Sequence, residues 1–90
     1  MNTPYMAKIT VTADYAALVA TKLVLGAVTI SCPPSNKGVV NFKGTGFTDV
    51  PWVAGEWHTF HGIDLALIQV KGTANDLVTL VGSTDREGGV

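Results

Sequence analysis

An all-β domain is what this sequence predicts: a small β-sandwich or jelly-roll-like barrel of six to seven short antiparallel strands, with no substantial helix. Three observations predict it. Apolar and polar residues alternate with period two in several short runs, Lys8-Ile9-Thr10-Val11-Thr12 being the cleanest, and that period belongs to strands whose two faces meet different surroundings. The same runs are rich in Val, Ile, Thr and aromatic residues, which suit a pleated, half-buried surface. Glycine, proline and asparagine punctuate them at short intervals, as in sandwiches and barrels.

In chain order, residues 1–7 read as an N-terminal arm, because Thr3-Pro4 disfavours helix at the junction. Tyr5 and Met6 are apolar for a free arm, which makes them candidates to lie against a partner. Residues 8–84 read as one sandwich domain and 85–90 as a polar C-terminal tail. The first strand is Lys8–Thr12. Asp14 could cap a helix over Ala16-Ala17-Leu18, but two turns without an apolar stripe are marginal, so a loop leading into Leu18-Val19 is preferred. Lys22–Leu25 and Ala27–Ser31 form the next β region, with Gly26 as a bulge or bend. Pro33-Pro34 ends it, since neither proline can donate a ladder hydrogen bond. Ser35-Asn36-Lys37-Gly38 supplies turn chemistry, and Val39–Lys43 returns as the second arm of a predicted hairpin. After Gly44-Thr45-Gly46, the connection Phe47–Val53 holds Phe47, Trp52 and Val53, large apolar residues that either cap the core or face a partner. Gly55–Val70 reads as two consecutive strands broken near Gly62. Lys71–Asp76 is a polar turn, and Leu77–Val81 closes a final hairpin with Leu67–Val70.

Composition bounds the function. The chain is 47% hydrophobic and only 14% charged, against a usual charged fraction of about 25%. A domain of this size buries only about 60–65% of its extended surface, so this much apolar material predicts that another chain covers part of it. A net charge of −1, with its six cations scattered singly, argues against a nucleic-acid partner. The longest nearly uncharged run, Leu23–Val40, is interrupted by Pro33 and Pro34 and predicts no membrane span. The opening residues lack the basic region and apolar core of a signal peptide, so synthesis in the cytoplasm is expected. A lone Cys32 allows no internal disulfide and reads as a small buried hydrophobe.

The chemical candidates are sparse. His58 and His61, three apart, fall on opposite faces of a strand, a poor metal geometry. The seven carboxylates are spread along the chain without a spacing that dictates acid–base work; Asp64 and Asp76 read as residues at strand starts or turns. Gly44-Thr45-Gly46 is too short for a phosphate-cradling loop. No catalytic residues, metal or cofactor are expected, and no enzyme. The aromatics Phe42, Phe47, Trp52, Trp57 and Phe60 suit either a sugar-stacking platform or core and interface packing.

One pattern runs through residues 8–84. Leu18-Val19-Ala20 precedes Leu25–Ile30 and Pro33-Pro34-Ser35-Asn36-Lys37-Gly38-Val39-Val40. The closing half carries Gly55-Glu56, Phe60, Asp64-Leu65, Ile68-Gln69-Val70, Gly72 and Asp76–Gly82. This order resembles small β-sandwich virion proteins of tailed bacteriophages, described as structural, decoration (cement) or head/tail-associated proteins. The resemblance implies a capsid-exterior protein, made in the host cytoplasm, that assembles as a symmetric oligomer, often a trimer, and clamps neighbouring major capsid subunits. It implies no catalytic residues. The partner-facing residues expected on this reading are Tyr5, Met6, Phe47, Trp52 and Val53. The alternative is a tail- or collar-associated module binding a carbohydrate or host receptor, which would cluster its aromatics on an exposed flat surface.

Overall fold

The computed structural model describes residues 3–46 and 48–83. It contains eight strands: β1 (Pro4–Thr10), β2 (Ala16–Ala17), β3 (Val24–Ser31), β4 (Val40–Gly44), β5 (Val50–Trp52), β6 (Trp57–Asp64), β7 (Ile68–Lys71) and β8 (Leu77–Ser83). The pairings are nested and antiparallel: β1 with β8, β2 with β7, β3 with β6, β4 with β5. That is one long folded-back ribbon. Two further pairings, β3 with β8 and β4 with β7, roll the ribbon up. The result is two four-stranded sheets, ordered β1-β8-β3-β6 (sheet A) and β2-β7-β4-β5 (sheet B), the jelly-roll winding.

The all-β expectation holds, with eight strands instead of six to seven. The additional ones, β2 and β5, span two and three residues, too short for alternation to reveal them. Among the described residues the only helical element is a 3₁₀ turn, Leu65–Leu67. Its N-cap Asp64 accepts the backbone N–H groups of Leu23 and Ala66, each at 3.0 Å, in the usual manner of a capping carboxylate.

Four local expectations change. The first strand begins at Pro4 because β8 extends to pair Pro4 with Ser83, so residues 4–7 lie in the sheet. The tail at 85–90 lies outside the described residues. Neither predicted hairpin forms: β3 and β4 belong to different sheets, as do β7 and β8. The segments between them are arches across the core, held together by side chains. Asn36 accepts the Leu77 N–H through Oδ1 at 2.9 Å and donates Nδ2 to the Leu77 carbonyl at 2.8 Å. Asp76, buried, accepts the N–H groups of Lys37 and Gly38, both at 2.9 Å.

The fourth change concerns Gly26 and Gly62. β6 runs through Gly62 and breaks only at the 3₁₀ turn. The β3–β6 register is the same on both sides, from Val24↔Asp64 to Ser31↔Trp57, so Gly26 is not a bulge. The inward alternation nonetheless slips by one in both strands. Ile30 and Val28 are followed by Leu25 on β3, and Phe60 by Ile63 on β6. Both strands kink together, and Gly62 at φ +60° supplies a conformation that other residues rarely adopt.

The core lies between the sheets and is built on Leu25, Val28, Ile30, Val40, Leu65, Val78 and Leu80. One close approach is notable: a Cβ at Gly82 would sit 2.3 Å from the Ala27 carbonyl and 2.9 Å from Val28 Cα. β3 and β8 therefore meet where only glycine fits.

Candidate interaction surfaces

The registers place residues in cross-strand rows on the outer face of sheet A. Met6, Val81, Thr29 and Thr59 form one row; Lys8, Thr79, Ser31 and Trp57 form the next; Pro4, Ser83, Ala27 and His61 flank them. Lys8 is the only Lys, Arg, Asp or Glu in these three rows. Four large exposed apolar residues of the protein, Met6, Val24, Trp57 and Val81, belong to this face, Met6 being 72% exposed. Its hydroxyls bond to each other: Thr29 to Thr59 at 2.9 Å and Ser31 to Thr79 at 2.6 Å. Each pair satisfies one of its two O–H donors, and Thr79 has the Ser31 carbonyl at 3.5 Å as a further acceptor, so covering this face strands fewer donors than four unpaired hydroxyls would.

Sheet B presents the opposite character. Lys43 and Lys71 place their Nζ atoms 4.2 and 4.9 Å from the centroid of the Tyr15 ring, within cation–π range. The Tyr15 hydroxyl donates to Asp49 Oδ2 at 2.7 Å. That hydrogen bond, with loss of solvation and the Asp49 charge, pushes the phenol up to about 12.

A second apolar surface opens where the sheet edges β5 and β6 separate. A cleft of about 550 Å³ is lined chiefly by Phe42, Val50, Trp52, Phe60, Ile63 and Ile68. Trp52 stacks on Phe42 with centroids 3.8 Å apart and meets the His58 ring edge-on at 4.7 Å. His58 Nε2 and Glu56 Oε2 are 2.7 Å apart, and Glu56 Oε1 accepts the Val53 N–H at 3.1 Å. The Val53–Glu56 turn is thereby tied to β6. Hydrogen bonding to His58 first, then to the Val53 N–H, holds the Glu56 carboxyl below its ordinary value.

The residues expected to face partners are distributed as follows. Met6 and Val53 are exposed. Tyr5 is half-buried and packs against the core from β1. Trp52 is buried, and forms the floor of the cleft. Phe47 lies outside the described residues. The outer-face rows were missed from sequence, since their members are brought together only by the β1-β8-β3-β6 order. Cys32 is buried, as expected; desolvation, then the charges of Glu56 and Asp76, raise its thiol to about 11.

No family model and no curated protein matches the chain. Among solved structures it is similar to a de novo designed double-stranded β-helix determined by solution NMR. The identity is 15% and the TM-score 0.39, covering 92% of this chain and 97% of that one. The strand order described above, not this likeness, defines the architecture.

Proposed function

We propose that the chain is a non-enzymatic structural protein of a phage virion, a capsid decoration or cement protein that oligomerises and stabilises the head by binding major capsid subunits. One observation carries the reading: of the eight large apolar residues exposed among the described residues, six fall in two separate places, Met6, Val24, Trp57 and Val81 on the outer face of sheet A and Val50 and Val53 beside the mouth between β5 and β6. A cement protein needs two such surfaces, one for copies of itself and one for the lattice, and repeated weak contacts add up through multivalency. Val50 and Val53, 53% and 57% exposed beside the cleft, suit the lattice contact, with buried Trp52 shaping it from beneath. The threefold symmetry is implied by the resemblance. The carbohydrate-binding alternative has less support: of the described Trp and Phe residues, Trp57 alone is exposed, and one ring makes no platform.

Quantitative mass spectrometry of purified particles tests this. The chain should be present in fixed stoichiometry with the major capsid protein, and V53E should remain folded yet lose incorporation. Absence from particles, or a copy number fitting only a tail or collar, overturns the cement assignment.

A further inference from the structure

We propose that the outer face of sheet A is a self-association surface, on which two copies pack face to face about a twofold axis parallel to the strands. The inference rests on the oligomerising part of the reading above, puts a twofold pair in place of the threefold symmetry that the resemblance implies, and does not depend on a virion location.

The argument starts from one row. Lys8, the single Lys or Arg in the described rows of the face, and Trp57, their single tryptophan, stand at opposite ends of the row Lys8–Thr79–Ser31–Trp57. Their strands are three spacings apart, about 14 Å. A twofold axis along the strand direction brings each end of a row over the other end of the same row in the second copy. Each Lys8 then lies over the Trp57 of the other copy, twice per pair, a geometry suited to cation–π attraction. No Lys8 meets another Lys8. In the adjacent row, Met6 opposes Thr59, and Val81 opposes Thr29.

The cost of desolvation is reduced, because the threonine and serine hydroxyls bond in pairs within each face and leave fewer donors dependent on water. Shape selects the symmetry. A broad face is covered by one opposed face, whereas three copies around an axis would meet only at their edges. The five rows common to all four strands, from Pro4–Ser83–Ala27–His61 to Lys8–Thr79–Ser31–Trp57, give a face of roughly 19 by 17 Å, on the order of 600 Å² over two opposed faces before side-chain relief is counted. That is smaller than a standard specific interface and predicts weak, transient pairing.

Sedimentation velocity and light scattering on the full chain, up to about 500 µM, test it. The expected result is a monomer–dimer equilibrium, with Trp57 emission shifting to the blue and its acrylamide quenching falling as dimer forms. V81K and T59K, both at exposed positions, should keep the far-UV circular dichroism of the parent and be monomeric. K8A should raise the dissociation constant about tenfold through two lost cation–π contacts, while A16K on sheet B should leave it unchanged. A monomer throughout the range, a trimer, or a dimer that survives both V81K and T59K overturns the proposal. Incorporation into particles by a strictly monomeric protein would overturn it while leaving the virion assignment standing.

Discussion

Replacing Asp76 by alanine should be the most damaging single loss of a polar side chain in this fold. Asp76 is 5% exposed and the only buried polar or charged residue among those described. Its two carboxylate oxygens accept the backbone N–H groups of Lys37 and Gly38 at 2.9 Å each. The chain contact spans 38 to 39 residues of sequence and joins the arch after β3 to the arch after β7. A hydrogen bond to a charged acceptor contributes about 1.5–3 kcal/mol net, and an unsatisfied buried donor costs about 1–3 kcal/mol. Partial access of water to the stranded N–H groups places the expected loss for D76A at about 3–4 kcal/mol. Against a total of about 5–15 kcal/mol for a small domain, that removes a large share of the stability. It should lower Tm by about 15 °C or more. D76N keeps one acceptor and should lose about half as much. Urea unfolding followed by the fluorescence of buried Trp52, with the slope m unchanged, measures both. Because Asn36 clamps the same two arches through Leu77, N36A and D76A should couple in a double-mutant cycle. A D76A protein within about 0.5 kcal/mol of the parent would refute the claim that the arches are held by this carboxylate.

Three further outcomes follow from the geometry. G82A should be destabilised by about 3 kcal/mol or more in urea unfolding, since its Cβ meets the backbone of Ala27 and Val28, whereas G46A, with open space around it but φ +78°, should lose only about 1 kcal/mol; equal losses would contradict the close approach. Cys32 should resist a thiol reagent at pH 8 until the protein unfolds, because a buried thiol raised to about 11 presents almost no thiolate; rapid stoichiometric labelling of the native protein would show otherwise. Glu56 has a folded pKa below its unfolded one, so its stabilisation is present above the ordinary glutamate range and is lost as pH falls through the lowered value; the gap in stability between parent and E56Q should therefore be widest near neutrality and close in acid, and a gap that widens in acid would reverse the assignment.

The class of fold was legible because alternation and punctuation are local. Topology was not, because turn residues report that the chain reverses and not which sheet it reverses into. Pro33-Pro34-Ser35-Asn36-Lys37-Gly38 and Lys71–Asp76 look like hairpin turns, yet both are arches. What distinguishes them is the pairing of Asn36 with Leu77 and of Asp76 with Lys37 and Gly38, between residues about forty positions apart. Gly26 was legible as an irregularity but not as half of a joint kink, since its counterpart Gly62 lies on another strand. Trp52 stood out as a large apolar residue in a connection, and its neighbour Val53 is exposed. Trp52 itself is buried because β5, three residues long around Pro51, still pairs with β4 and carries the ring onto Phe42. The outer-face rows needed four strands in a known order before they could be read.

The excess of apolar residues has a structural origin in the unequal sheets. The strands of sheet A are seven or eight residues long, while those of sheet B are two to five. A long sheet laid over a short one is incompletely covered at both edges. On one side the edge strand of sheet B, β2, is only two residues long, and the inward Tyr5, Ala7 and Ile9 of β1 remain half-buried. On the other side β6 overhangs β5, leaving Phe60 and Ile63 partly open to the cleft. Inward residues at both edges must be apolar to serve the core, yet neither edge is closed by backbone among the described residues. Part of the hydrophobic content that looked too high for a small sandwich thus follows from this sheet asymmetry. Cover from outside removes the remaining apolar area from water at about 25 cal/mol per Å². A partner at the β5–β6 edge would therefore continue core formation, whereas the outer face of sheet A, with Met6, Val24, Trp57 and Val81, is apolar on its own account.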